Sequence, residues 1–291
     1  IRYGETCVMC NVVMSPKPRE GVDFFPLNVE YEEKLYAAGR IPGSFMRREG
    51  RPGERAILTS RVVDRPMRPL FPKEMRNDVC ITMTVMSLDP DCSPEIAGMI
   101  GASLVTAVSE IPWNGPIGGV QVGLVDGEIV LNPTQEQRKK SDLALTVAAT
   151  MDKIVMIEAG ANEVDEDTML NAIKAAHVEI KKIITFINSI VAERGKPKTD
   201  FQVVGLDMDV FHAIKEKYLD NFKAAMDTDD KNVRDAALLP IMDKIAEEYP
   251  DLTEADLDLV SYKMQKYVVR RWLLDEGKRV DGRGINEIRP L

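Results

Sequence analysis

Near residue 200 the chain changes character, and this change limits the fold more than any other feature. Before it, strand-like and helix-like stretches alternate. Residues 6–14 and 79–87 are rich in β-branched and apolar side chains. Residues 120–125 and 127–131 flank Asp126-Gly127, a two-residue hairpin signal. Residues 143–148 and 154–158 form a further strand pair, broken near Thr150-Met151-Asp152. Residues 95–111 read as a helix of small and aliphatic side chains. Residues 168–194 read as a long amphipathic helix, with Asp165 or Asp167 as N-cap and Gly195 past its end. Its apolar stripe runs Ile173, Ala176, Ile180, Ile184, Ile187 and Val191, with His177 beside it as a packed or rim residue. Helices mixed with antiparallel hairpins make an α+β fold.

Gly195-Lys196-Pro197-Lys198-Thr199 reads as a linker, and after it the strand signal is gone. Residues 208–226, 230–248 and 253–276 read as three helices. Thr253-Glu254-Ala255-Asp256 forms a capping box with Asp in place of Glu, and Gly277 closes the last helix. The expected domains are therefore 1–200, an α+β core, and 201–276, all helical. Residues 277–291 are a separate closing segment.

Composition fits this division. At 291 residues, 44 % hydrophobic but only 6 % aromatic, the chain has a core of aliphatics and its 15 methionines. No run of 18 apolar residues occurs, so no membrane span is expected. The opening Ile1-Arg2-Tyr3-Gly4 reads as mid-strand text rather than a signal peptide. Cys7 and Cys10 lie in a strand, where their odd spacing points them to opposite faces, and Cys80 and Cys92 offer no second pair. Free thiols in a reducing cytoplasm are expected, and no metal site.

Charge carries the functional signal. The formal net charge is -9, yet Arg40, Arg47, Arg48, Arg51, Arg55, Arg61, Arg65 and Arg68 fall in one window with no lysine and only three acids. A guanidinium fork fits phosphate oxygens and stacks on bases, so single-stranded RNA is the expected ligand. Pairing with carboxylates inside the domain is the structural alternative, since Asp64 lies within reach of Arg61, Arg65 and Arg68. The wording Gly43-Ser44-Phe45-Met46-Arg47-Arg48-Glu49-Gly50-Arg51-Pro52-Gly53 marks a loop, with an aromatic beside paired arginines.

These residues also carry a resemblance. Phe25-Pro26-Leu27-Asn28-Val29-Glu30-Tyr31, Leu35-Tyr36-Ala37-Ala38-Gly39-Arg40-Ile41-Pro42-Gly43, Phe45-Met46-Arg47-Arg48-Glu49-Gly50-Arg51-Pro52 and Thr59-Ser60-Arg61-Val62-Val63-Asp64-Arg65-Pro66-Met67-Arg68-Pro69 resemble the first core of the bacterial polynucleotide phosphorylase family. Ile111-Pro112-Trp113-Asn114-Gly115-Pro116 and Leu131-Asn132-Pro133-Thr134 fit the same family, and the resemblance covers essentially the whole chain. It implies a ribonuclease PH-like core (ribosomal protein S5 domain 2-like) followed by an all-helical domain. Arg279-Val280-Asp281-Gly282-Arg283 and Glu287-Ile288-Arg289-Pro290 resemble the opening of a second core.

The implied activity is that of a polyribonucleotide nucleotidyltransferase, a phosphorolytic 3′-to-5′ exoribonuclease of RNA processing and mRNA degradation. Inorganic phosphate attacks the terminal phosphodiester and a nucleoside diphosphate leaves; the reaction also runs backwards. The family works as a cytoplasmic ring-shaped homotrimer, with single-stranded RNA as substrate and the RNA-degradation machinery as a possible partner. Mg²⁺ and phosphate are expected at the second core. In this first core the phosphate turn reads Asp89-Pro90-Asp91-Cys92-Ser93-Pro94-Glu95, whose acids repel phosphate and whose Pro94 lacks a donor. The metal loop, residues 132–142, keeps only Glu136 and Asp142, with Arg138, Lys139 and Lys140 between them, and is expected to be a solvated basic turn. The resemblance implies RNA contact by Phe45, Arg47, Arg48, Arg51, Arg61, Arg65 and Arg68. Two other readings stand beside this one: a non-enzymatic RNA-binding or assembly module, and a first core with its own metal-dependent nucleotidyl activity through Glu136 and Asp142.

Overall fold

The computed structural model describes residues 1–19, 22, 24–41, 43, 50–201 and 206–290. It divides into two compact units, Ile1–Val203 and Val204–Leu291.

The first unit holds two four-stranded sheets. One has the order β1-β2-β4-β3, from β1 (Arg2–Tyr3), β2 (Thr6–Pro18), β3 (Leu27–Glu33) and β4 (Asn77–Ser87). Only the β3/β4 pair is parallel. A parallel pair needs a crossover, and α1 (Glu54–Met67) supplies it, packing on β3. The other sheet has the order β6-β5-β7-β8 and is antiparallel throughout, from β5 (Gly118–Val125), β6 (Glu128–Leu131), β7 (Leu143–Ala149) and β8 (Ile154–Ala161). Its first hairpin turns at Asp126 and Gly127, both with positive φ (52° and 82°), as a two-residue turn demands.

The helix α2 (Pro94–Val108) packs on β2 and β4 and also on β5. Glycines let it come close: a Cβ on Gly101 would sit 2.4 Å from the Cys10 sulfur, and one on Gly98 would lie 3.2 Å from that of Met83. Val63, Met67, Met75, Ile81, Met83 and Met99 are buried in the core around it. A second core lies between the antiparallel sheet and α4 (Glu166–Arg194). There Val120, Leu145 and Val147 meet Ala176, Ile180 and Ile184. Asp165 is the cap of α4, accepting from the Thr168 amide at 2.9 Å. His177 is half-buried, with Nε2 3.1 Å from the Thr150 carbonyl.

Two local expectations change. Residues 195–199 are not a free linker. The Lys196 and Thr199 amides donate to Val108 and Glu110 carbonyls, and the Lys198 ammonium donates to the carbonyls of Thr106, Ala107 and Ser109 at 2.7–3.0 Å. A cation thereby closes the C-terminus of α2, where exposed carbonyls and the helix dipole favour it. The basic turn within residues 132–142 contains a short helix, α3 (Gln135–Lys140), because Thr134 and Gln137 form a capping box.

The second unit is α5 (Met208–Met226), α6 (Lys231–Glu248) and α7 (Glu254–Arg271), capped by Asp207, Asp230 and Thr253. Thr253 and Asp256 cap each other reciprocally, as the sequence implies. Ile214, Phe222, Ile245, Val260, Met264 and Val268 form its own core. One wider turn, Trp272–Glu276, prolongs α7 to Gly277, whose positive φ of 61° stops it. The segment that follows belongs to this unit, and Lys278 pairs with Asp227.

Candidate nucleic-acid interface and phosphate turn

Three of the eight arginines of the island lie on α1. Its buried residues are Ala56, Thr59, Val63, Pro66 and Met67, which leaves Arg55, Arg61 and Arg65 outside. Three of the arginines are committed to the fold. Arg68 forks onto Asp64 (3.0 and 2.9 Å) and donates to the carbonyls of Phe25 and Leu27 (2.9 and 3.1 Å), tying the end of α1 to the entrance of β3. Arg65 pairs with Glu158 of β8 at 2.8 Å. Arg55 pairs with Glu95 at the start of α2 at 3.0 Å, and Gln121 also donates to Glu95. Arg40, Arg51 and Arg61 are exposed and, among the described residues, no carboxylate lies within ion-pair distance of them. Arg51, Ser60 and Arg61 line a cleft of about 710 Å³ beside β3, which Lys34 and the carboxylates Glu30, Glu32 and Glu33 also border. Phe45, Arg47 and Arg48 lie outside the described residues.

The turn leading into α2 is closed on itself. A helix N-terminus binds an anion through free amides. Here the amide of Asp89 donates to Thr6 Oγ1 (2.8 Å), that of Asp91 to Asp89 Oδ1 (3.0 Å) and that of Cys92 to the Asp89 carbonyl (3.1 Å). The Ile96 amide donates to Ser93 Oγ, and the residues at 90 and 94 are prolines. The backbone amides of Asp91 and Glu5 hold the Asp89 carboxyl below its usual range, so it stays anionic. Burial, and then this carboxylate, push the Cys92 thiol up, keeping it protonated. A phosphate at this turn would meet two aspartates and few open donors.

The neighbouring loop is strapped to the same turn. Arg138 on α3 donates to the Pro133 carbonyl at 2.6 Å and to the Pro90 carbonyl at 2.5 Å. The Gln135 amide donates to Asp91 Oδ1 at 2.8 Å. Asp142 accepts from Asn162 at 3.4 Å, and Glu136 is exposed. Among the described residues no three acidic, histidine or cysteine side chains converge as metal ligands. A magnesium site takes several oxygen ligands in near-octahedral order, and Glu136 and Asp142, with Arg138, Lys139 and Lys140 between them in the sequence, do not fit one. The strap role of Arg138 is absent from the sequence reading. Its only advance signal is the capping box that makes residues 135–140 helical.

The chain can now be set against known proteins. Residues 1–112 match the model for domain 1 of the 3′ exoribonuclease family and residues 115–179 match domain 2. Residues 209–284 match the RNA binding domain model of polyribonucleotide nucleotidyltransferase. A polyribonucleotide nucleotidyltransferase of Ruminiclostridium cellulolyticum is 52 % identical over 295 aligned residues, covering all of this chain and 42 % of that protein. One from Lachnoclostridium phytofermentans is 53 % identical with the same coverage. The chain thus spans about two-fifths of the length of these relatives. A crystal structure of rice (Oryza sativa) Rrp46 shares the fold, with TM-score 0.54 and 13 % identity over 65 % of this chain and 86 % of that one. With both exoribonuclease domains matched in order and about half of all residues shared with polyribonucleotide nucleotidyltransferases, the chain belongs to the 3′ exoribonuclease family.

Proposed function

We propose that this chain is the strand-guiding and scaffolding portion of a phosphorolytic 3′-to-5′ exoribonuclease, and that bond cleavage is performed by a second core outside it. The observation that carries this reading is the acidic turn before α2, most of whose amides are bonded, together with Arg40, Arg51 and Arg61, which are exposed and, among the described residues, have no carboxylate within ion-pair distance. One surface rejects free phosphate and the other attracts a phosphate backbone. Arg51 and Arg61, with Phe45, Arg47 and Arg48 assigned from the sequence, hold single-stranded RNA through stacking and sequence-blind phosphate contacts. Arg65 and Arg68 serve the same surface indirectly, by fixing α1. Mg²⁺ and inorganic phosphate act at the second core of the whole enzyme, a cytoplasmic homotrimer.

The test is binding of a labelled oligoadenylate across a salt series. Replacing Arg51 and Arg61 by Gln is expected to weaken binding and to flatten the salt dependence by about 0.7 per lost phosphate contact. Unchanged affinity and slope would remove these two residues from the strand path.

A further inference from the structure

Between α1, α2 and the antiparallel sheet the first unit holds a cavity of about 230 Å³, the volume of about eight liquid water molecules, that the reading above leaves unused. Its sheet wall is a polar row. The register sets Gln121 of β5 opposite Thr146 of β7, and Thr146 opposite Glu158 of β8. The three side chains therefore share one face of the sheet, at about 4.8 Å per strand, and all three line the cavity. Glu95 of α2 continues the row by accepting from Gln121 Nε2 at 3.4 Å. The other walls are apolar: Leu58 and Val62 of α1, Ile96 and Met99 of α2.

Thr59 of α1 is only 4 % exposed, yet it lines the same cavity. Among the described residues its hydroxyl has no hydrogen-bond partner, and it is not sealed from open space. The Thr146 hydroxyl and Gln121 Oε1 also lack partners among the described residues. Polar atoms left unpaired in a narrow cavity are unfavourable, and a ligand that brings their partners removes that cost. Water would satisfy the row but not the four apolar side chains that face it.

Charge and hydrogen-bonding capacity sort the ligands. Arg55 pairs with Glu95 at 3.0 Å and lies 3.9 Å from Glu33, while Arg65 pairs with Glu158 at 2.8 Å. Three carboxylates against two guanidiniums leave one net negative charge, which disfavours an anion. The open groups are Gln121 Oε1, the second oxygen of Glu158 and two hydroxyls, so the ligand must bring donors. Among the described residues no three metal-ligating side chains converge. An alkylammonium carries one positive charge, three donors and no acceptor, on a methylene stem that suits the apolar walls.

We propose that this cavity binds one end of a linear aliphatic diamine. The ammonium donates to Gln121 Oε1 and to the hydroxyls of Thr146 and Thr59, and the stem lies along Val62, Ile96 and Met99. The site is independent of the RNA-guiding reading.

The experiment titrates the whole chain calorimetrically with putrescine, a four-carbon diamine. One saturable site per chain is expected. Thr146→Val, Thr59→Val and Gln121→Leu should each weaken binding at least about fivefold. These changes leave the net charge of the chain untouched, so diffuse attraction of a cation to an acidic protein would not respond to them. Variants that bind like the parent, or a titration that never saturates, would overturn the site. Equal binding of butanediol would show that the ammonium is not what is recognised, which also overturns it. Tighter binding of acetyl-lysine amide would replace the free amine by a lysine side chain of another protein. Should a variant melt early, the parent chain still decides: the Thr59 and Met99 methyl signals should shift on adding putrescine, and unmoved signals would sink the proposal.

Discussion

Arg68 and Tyr31 show at single-residue scale how the fold redirects what composition suggests. The planar fork of Arg68 makes four bonds, two of them to carbonyls near β3, in a geometry that an ammonium cannot reproduce. Arg68→Lys should therefore cost about 1 kcal/mol in urea unfolding, with RNA affinity unchanged. A normal unfolding midpoint with weakened RNA binding would make Arg68 a strand contact instead. Tyr31 is 1 % exposed and, among the described residues, its hydroxyl has no hydrogen-bond partner. Burial, with Glu33 and Glu95 nearby, pushes this hydroxyl far up, so it stays neutral. Tyr31→Phe should leave stability unchanged or raise it by up to about 1 kcal/mol; a clear loss in thermal melting would reveal a hidden partner. Residue types alone expose the arginine island but not its division. Asp64 and Arg68 are four apart and could be paired by eye. The partner of Arg55 is 40 positions away and that of Arg65 is 93 away, distances that only the fold brings together.

Among the elements, those with clean periodicity were legible. The hairpin at Asp126-Gly127, the stripe of α4 and the three helices of the second unit stand where the pattern puts them. The helix α1 was not legible, because its buried face includes Thr59 and Pro66 while Ile57 and Leu58 are exposed. The strand β3 does carry the alternation Leu27, Val29, Tyr31 against Asn28, Glu30, Glu32, a signal that the sequence reading did not use. The start of α4 gives a pH test. Bonds from Thr168 hold the Asp165 carboxyl below its usual range. A carboxyl with a depressed folded value adds stability above its unfolded value and loses it as pH falls through the folded one. Asp165→Ala should lower the melting temperature at neutral pH, and the gap should shrink on acidification. A gap independent of pH would mean that the charge contributes nothing there.

For the whole molecule, two units with separate cores make up the chain. In the proposed reading the first offers exposed arginines to an RNA strand and carries an acidic turn most of whose amides are already bonded. The family was legible from long motifs. The reason for the silence proposed for this site was only half legible: the acids of the turn are visible in sequence, whereas the straps from Thr6, Arg138 and Gln135 are tertiary. The central claim is that this chain guides RNA and does not cleave it. Its most direct test is phosphorolysis by the chain alone, using end-labelled oligoadenylate, phosphate and Mg²⁺, with RNA binding measured alongside. The account predicts salt-sensitive binding and no nucleoside diphosphate. Diphosphate release that survives purification controls for host enzyme, and that disappears on Glu136→Gln or Asp142→Asn, would contradict it.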